Sequence, residues 1–154
     1  THSDVMALRE GLADGTIDIV ATDHAPHPAE SKECEWQAAS FGMIGLETAF
    51  SIVQATMVDT SLMSWSDLAD RMSNAPARIA GYADHGQPLD AGSSAHLTVI
   101  NPTASWRVDR DLVASRSRNT PFHGMELPGR IVATFFRGEP TVLNGALVRT
   151  VEGV

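Results

Sequence analysis

The chain has 154 residues, 43% hydrophobic and 19% charged, enough apolar content to bury a core and too much for a disordered segment. Nineteen Asp and Glu against eleven Lys and Arg leave a formal charge of −8, which excludes sequence-independent attraction to polyphosphate and argues against nucleic acid as a partner. A single cysteine, Cys34, rules out an internal disulfide framework and a cysteine-only zinc site and points to a reducing compartment, the cytoplasm. No apolar run approaches the ~20 residues of a membrane helix.

No basic stretch followed by an apolar one opens the chain, and Thr1 rather than Met stands first, so no secretory signal and an internal start are expected. From Ser3, read as an N-cap, Val5, Leu8 and Leu12 recur at helical spacing until Asp14-Gly15 supplies turn chemistry. Ile17 to Thr22 is β-branched and apolar without strict alternation, as a strand covered on both faces would be. Helix, tight loop and buried strand make the αβ step of an α/β fold.

Between His24 and Gly45 the sequence is rich in Pro, Glu, Ser and Gly and has no period. It exceeds the ~12–15 residues usual for structureless connections, which marks a functional loop. Leu46, Phe50, Val53 and Met57 then share a helix face, Ser64-Trp65-Ser66-Asp67 has the form of a capping box, and Asn74-Ala75-Pro76 opens a short helix ending at Gly81. From Gln87 the texture changes to short apolar runs cut by Asn101-Pro102, Pro121, Pro128-Gly129, Gly138 and Asn144-Gly145, the pattern of a small antiparallel β subdomain.

Thr22-Asp23-His24-Ala25-Pro26-His27 stands at the outlet of the expected strand. Barrels and open α/β sheets place their chemistry at that end, where loops converge on rigid strands. Asp23 is therefore a candidate for acid–base work or metal ligation, the plain alternative being a helix cap or an Asx turn. His24 and His27 are zinc ligands, an anion clamp or ordinary loop histidines. Zinc takes about three or four convergent donors, and only Asp23, His24 and His27 cluster in sequence; His2, His85, His96 and His123 stand alone, as solvent-facing or hydrogen-bonded histidines do.

The same hexapeptide, with Phe41-Gly42-Met43-Ile44-Gly45-Leu46-Glu47-Thr48, Asn74-Ala75-Pro76-Ala77-Arg78-Ile79-Ala80-Gly81 and Ser115-Arg116-Ser117-Arg118-Asn119-Thr120-Pro121-Phe122, resembles dihydroorotase of the longer bacterial type, within the amidohydrolase superfamily. The resemblance implies an α/β fold: the C-terminal part of a (β/α)8 metal-dependent hydrolase barrel followed by a small antiparallel β subdomain. Residues 1–86 would hold the last helix–strand step, the active-site loop and the following helices. Residues 87–154 would form the C-terminal part of the β subdomain.

It further implies reversible closure of N-carbamoyl-L-aspartate to L-dihydroorotate with one or two zinc ions. Asp23 would be a zinc ligand that shuttles the proton, His27 would contact the substrate carboxylate, and the backbone at Phe41 and Gly42 would face the substrate ring. A homo-oligomer and, in some relatives, association with aspartate transcarbamoylase are implied as well. Hydantoinases and allantoinases usually carry a different residue at the His27 position. Two departures are Ser40 in place of a frequent Pro and His96 in place of the Asp of a Gly-x-x-Ala-Asp-Leu pattern. No His-x-His pair is present. A barrel takes ~250 residues and eight βα units, so most metal ligands are expected on an N-terminal remainder, the isolated chain is expected to be inactive, and a nick in a mobile active-site loop would explain the start at Thr1. The competing readings are a metal-free dihydroorotase-like scaffold supporting aspartate transcarbamoylase, and a hydantoinase or allantoinase.

Overall fold

In the computed structural model, which describes residues 1–148, Thr1 starts the first helix. Its hydroxyl accepts from the Asp4 amide at 3.4 Å, and the Asp4 carboxylate takes the Thr1 ammonium at 2.6 Å. Helix α1 then runs His2–Asp14 and ends on a left-handed Gly15. The cap is Thr1 rather than the expected Ser3, because a capping box needs an acidic partner three residues on; Asp4 fills that place for Thr1, whereas Met6 would fall there for Ser3.

The strand expected over 17–22 is a correction. Those residues are extended but paired to no neighbour, and half-buried rather than covered on both faces. Their backbone is held by Ile17 N–H to Gly11 O at 2.8 Å and Val20 N–H to Arg71 O at 3.1 Å. A parallel strand needs a partner on each side to satisfy its N–H and C=O groups, and among the described residues the only pairing nearby is a parallel bridge between His24 and Met43.

The loop after Asp23 contains one helical turn, α2 (Ala29–Lys32). Helix α3 (Ala49–Val53) continues as a π-helical turn over Gln54–Val58, and α4 (Trp65–Ala69) passes through a second over Asp70–Asn74 into α5 (Ala75–Ala80). Ser64 and Asp67 form the expected box, with Asp67 N–H to Ser64 Oγ at 3.2 Å and Ser64 N–H to the Asp67 carboxylate at 2.8 Å. Val53, Met57, Met63 and Leu68 form the core, with Leu12, Val20, Phe50 and Met72 packed around it. Each such side chain contributes about 1.5–3 kcal/mol on burial. Leu8, Leu46 and Leu112 remain exposed.

The sheet is antiparallel, β1 (Leu97–Arg107), β2 (Glu126–Phe136), β3 (Glu139–Leu143) and β4 (Ala146–Leu147), in that spatial order. Residues 149–154 of the expected subdomain lie outside the described residues. Asn101-Pro102 bulges β1 instead of ending it: the Asn101 side chain accepts from the Thr103 and Ala104 amides at 3.1 and 3.2 Å, and the register with β2 slips between Asn101 and Ser105. Arg137-Gly138 and Asn144-Gly145 have positive φ throughout, the two-residue hairpin turns that match strand twist.

Pro128-Gly129 lies inside β2 rather than in a turn, with Pro128 opposite Ser105. Gly129 is there for space: a Cβ on it would come within 2.8 Å of Phe50 Cε1. That close approach docks α3 on the sheet, where Ser51 Oγ donates to Gly129 O at 3.0 Å and accepts from Trp106 Nε1 at 3.0 Å.

Candidate active site

Asp23 ends the extended segment at φ 43, a left-handed conformation that Asp tolerates better than most residues but that costs of order 1–3 kcal/mol. Its side chain is exposed. The next helix begins at Ala29, with Pro28 at its N-cap, so Asp23 caps nothing.

Three ties hold the segment that follows. His24 Nδ1 accepts from the Gly45 and Leu46 amides at 3.1 and 3.4 Å, which places the ring proton of the neutral tautomer on Nε2. Ala25 N–H donates to Met43 O at 2.9 Å. Asn119, across the fold, receives the Ile44 N–H on its backbone carbonyl at 3.1 Å and donates from Nδ2 to Ala25 O at 2.9 Å and Gly42 O at 3.3 Å. The two ends of the loop thus meet beside Asp23.

The tip is fixed from within. Ser40 N–H donates to Ser31 O at 2.9 Å, and Lys32 Nζ donates to Ser40 O at 2.7 Å and Gly42 O at 3.0 Å. Because a trans peptide points its N–H opposite its C=O, Lys32 aims the Phe41 amide away from itself by holding Ser40 O. The Phe41 ring is 96% exposed. At Gly42, φ 109, a Cβ would lie 2.5 Å from Ala25 Cβ, so only glycine lets the loop close on Ala25; His27, half-buried, lies in ordinary contact range beside it, its Nε2 3.6 Å from that Cβ position. On the far side the Glu47 carboxylate accepts from the Ala114 amide at 3.0 Å and ties the 109–118 segment to the start of α3.

The Amidohydrolase family model matches residues 1–141. The chain belongs to the amidohydrolase family. It is 59% identical over 147 residues to a dihydroorotase from Streptomyces coelicolor, covering 96% of this chain and 34% of that protein. A dihydroorotase from Mycobacterium tuberculosis is 52% identical over 145 residues, covering 94% and 34%. Among solved structures, the L-hydantoinase (dihydropyrimidinase) from Arthrobacter aurescens superposes with a TM-score of 0.85 at 32% identity, covering 94% of this chain and 33% of that one. A D-hydantoinase from Thermus sp. follows at 0.83 and 26%. The chain spans about a third of the length of the curated relatives it matches. Family membership brings the α/β amidohydrolase fold with it, and the antiparallel sheet is its part within this chain.

Within that fold, Asp23, His27, Phe41 and Gly42 lie along one loop, yet Asp23, His24 and His27 do not converge into a ligand group. Among the described residues the one set of three metal-competent side chains that does is Asp84, His85 and His96. Sequence reasoning passed over Lys32 altogether and noted Asn119 only as part of a motif. Both act on backbone carbonyls, Asn119 on one 94 residues away, and neither residue type signals that role.

Proposed function

We propose that this chain is the C-terminal part of a dihydroorotase that interconverts N-carbamoyl-L-aspartate and L-dihydroorotate. The observation that carries this reading is identity of 52% and 59% to curated dihydroorotases over nearly the whole chain, against 32% to the hydantoinase. Residues 1–86 would complete the barrel and its active-site loop, and residues 87–154 would belong to the β subdomain. The remainder of the barrel would come from polypeptide N-terminal to this chain, and the chain by itself would be inactive. The single cysteine accords with a cytoplasmic enzyme.

In this reading the Asp23 carboxylate takes a proton from the attacking water and delivers it to the departing amide nitrogen, with the reverse order in ring closure. His27 hydrogen-bonds the substrate carboxylate, offsetting repulsion by an acidic protein. The Phe41 and Gly42 backbone faces the ring, its direction set by Lys32 and Asn119.

A zinc site takes about three or four donors. The residues present fit one ligand of such a site: Asp23 is exposed, while His24 Nδ1 is already engaged by two amides. Asp23 would hold one or two zinc ions together with ligands from the rest of the barrel. Zinc would supply Lewis acidity toward the ring carbonyl and acidify water near neutral pH.

The test is turnover by the protein that contains this chain and the rest of its barrel. Ring closure of N-carbamoyl-L-aspartate, abolished by Asp23→Asn, is the expected result. Preference for hydantoin would select a hydantoinase, the fold of which this chain shares at a TM-score of 0.85; preference for allantoin would select an allantoinase. Absence of both zinc and turnover would leave a scaffold for aspartate transcarbamoylase.

A further inference from the structure

Away from the Asp23 loop, the connection after α5 and the start of β1 bring three ligand-type side chains together. Asp84 Oδ1 lies 3.7 Å from His85 Nε2, and Asp84 Oδ2 lies 3.9 Å from His96 Nε2. One donor atom from each residue falls within 4.8 Å of the others. The two imidazole rings face one another with centroids 3.9 Å apart, and Phe136 backs both at 6.0 and 5.1 Å. His96 is the residue that replaces the expected Asp of the Gly-x-x-Ala-Asp-Leu pattern.

These separations are too long for hydrogen bonds. His96 Nε2 is buried and has no partner, although its side chain is only 11% exposed, and a buried polar nitrogen left unpaired calls for an explanation. The separations suit a bridging ion better. Zn–N and Zn–O lengths of about 2.0–2.2 Å give donor–donor edges of roughly 3.4 Å in a tetrahedron, so the Asp84 distances need to close by only about half an ångström.

We propose that Asp84, His85 and His96 bind a divalent transition-metal ion of the zinc type, at a site separate from the Asp23 loop. The neutral imidazole is the commonest protein ligand for such ions. A cavity of about 270 Å³, lined by Asp84, Asp90, Ser93, Ser94 and His96 among others, gives water or a small anion access to the remaining coordination positions.

One cation competes. The Arg137 guanidinium approaches Asp84 Oδ2 at 3.4 Å and lies over the Phe136 ring. It is mostly exposed on a hairpin turn, and swinging it into solvent frees the carboxylate.

The test is Zn²⁺ and Co²⁺ titration of the full protein beside its His85→Gln variant, so that any ions held at the Asp23 loop are common to both and cancel. Expected are one bound equivalent more in the parent than in the variant, joint displacement of the His85 and His96 imidazole resonances, and ligand-field absorption with cobalt. His85→Gln and His96→Gln should each weaken binding by more than about tenfold, the size of loss that even an outer-sphere partner causes. Arg137→Gln should tighten it by up to about fivefold, the range an exposed ion pair spans. His85 is surface-accessible, so that variant carries the test if His96→Gln fails to fold. Unmoved imidazole resonances, equal affinity in His85→Gln and its parent, or weaker binding in Arg137→Gln would overturn the proposal.

Discussion

Replacing Lys32 by Met keeps the aliphatic stem and deletes the ammonium that holds Ser40 O and Gly42 O at 2.7 and 3.0 Å. Hydrogen bonds from a charged donor contribute about 1.5–3 kcal/mol each. Lys32 is half-buried, so the lower figure applies, and the pair stabilises the ordered tip by about 3 kcal/mol. Gly42 O keeps its bond from Asn119 Nδ2 at 3.3 Å, which leaves the Ser40 contact as the uncompensated loss, about 1.5 kcal/mol and roughly tenfold in the population of the ordered tip. Under the proposed function, in which the Asp23 carboxylate rather than Lys32 moves the proton, KM for dihydroorotate should rise about tenfold with kcat nearly unchanged, and Lys32→Arg should recover part of it. Hydrogen exchange gives a readout independent of substrate: amides of residues 38–42 should lose protection by the same factor while those of α3 do not. Unchanged KM together with unchanged exchange would refute the positioning role of Lys32.

Asp23→Asn should lower kcat by orders of magnitude and leave the unfolding midpoint near that of the parent, measured by turnover and urea denaturation; near-normal turnover would remove Asp23 from the proton path. His27→Ala should raise KM for the anionic substrate more than it lowers kcat, and an unaltered KM would remove the carboxylate contact. Gly129→Ala should cost about 1–2 kcal/mol for its left-handed backbone plus about 1–3 kcal/mol for overpacking against Phe50. Gly92→Ala, at φ 94 with nothing within 4 Å of a Cβ, should cost only the backbone part, so equal losses in the two variants would contradict the docking role of Gly129. The Ser64 hydroxyl, then its amide, hold the Asp67 carboxyl below the ordinary value. The stability it contributes is therefore complete above the unfolded pKa of about 4 and is lost as pH falls through the lower folded one. Asp67→Asn should flatten the acid limb of stability below about pH 4; an identical acid limb in both proteins would show that the box contributes nothing.

How far the sequence announced this fold depends on how local each interaction is. The capping box of Ser64 and Asp67 and the Asn144-Gly145 turn were legible because every partner lies within a few residues. The pairing of 17–22 was not, since a strand exists only with hydrogen-bonded neighbours, and among the described residues 17–22 pair with none. Pro128-Gly129 reads as a turn in sequence because the usual reason for glycine is conformational. Here Gly129 does take a left-handed φ of 73, but inside a strand, and a helix 78 residues away needs the room as well. At the candidate site the proposed role of Asp23 rests on its place after an apolar run, whereas Lys32 and Asn119 act on main-chain carbonyls and leave no pattern of their own. The neighbourhood of His85 and His96 was hidden for the opposite reason: two isolated histidines meet only once β1 turns back toward α5.

The closure of the loop at its base, by Ala25 N–H on Met43 O at 2.9 Å, and below its tip, by Ser40 N–H on Ser31 O at 2.9 Å, uncouples its length from its anchorage. Doubling the span of such a closed segment costs only about 0.6 kcal/mol in chain entropy. Residues 33–38 could therefore be lengthened, shortened or exchanged between relatives while the carboxylate at position 23 keeps its aim. In the proposed enzyme, diversification of ring preference would then have a place to occur apart from the Asp23 carboxylate.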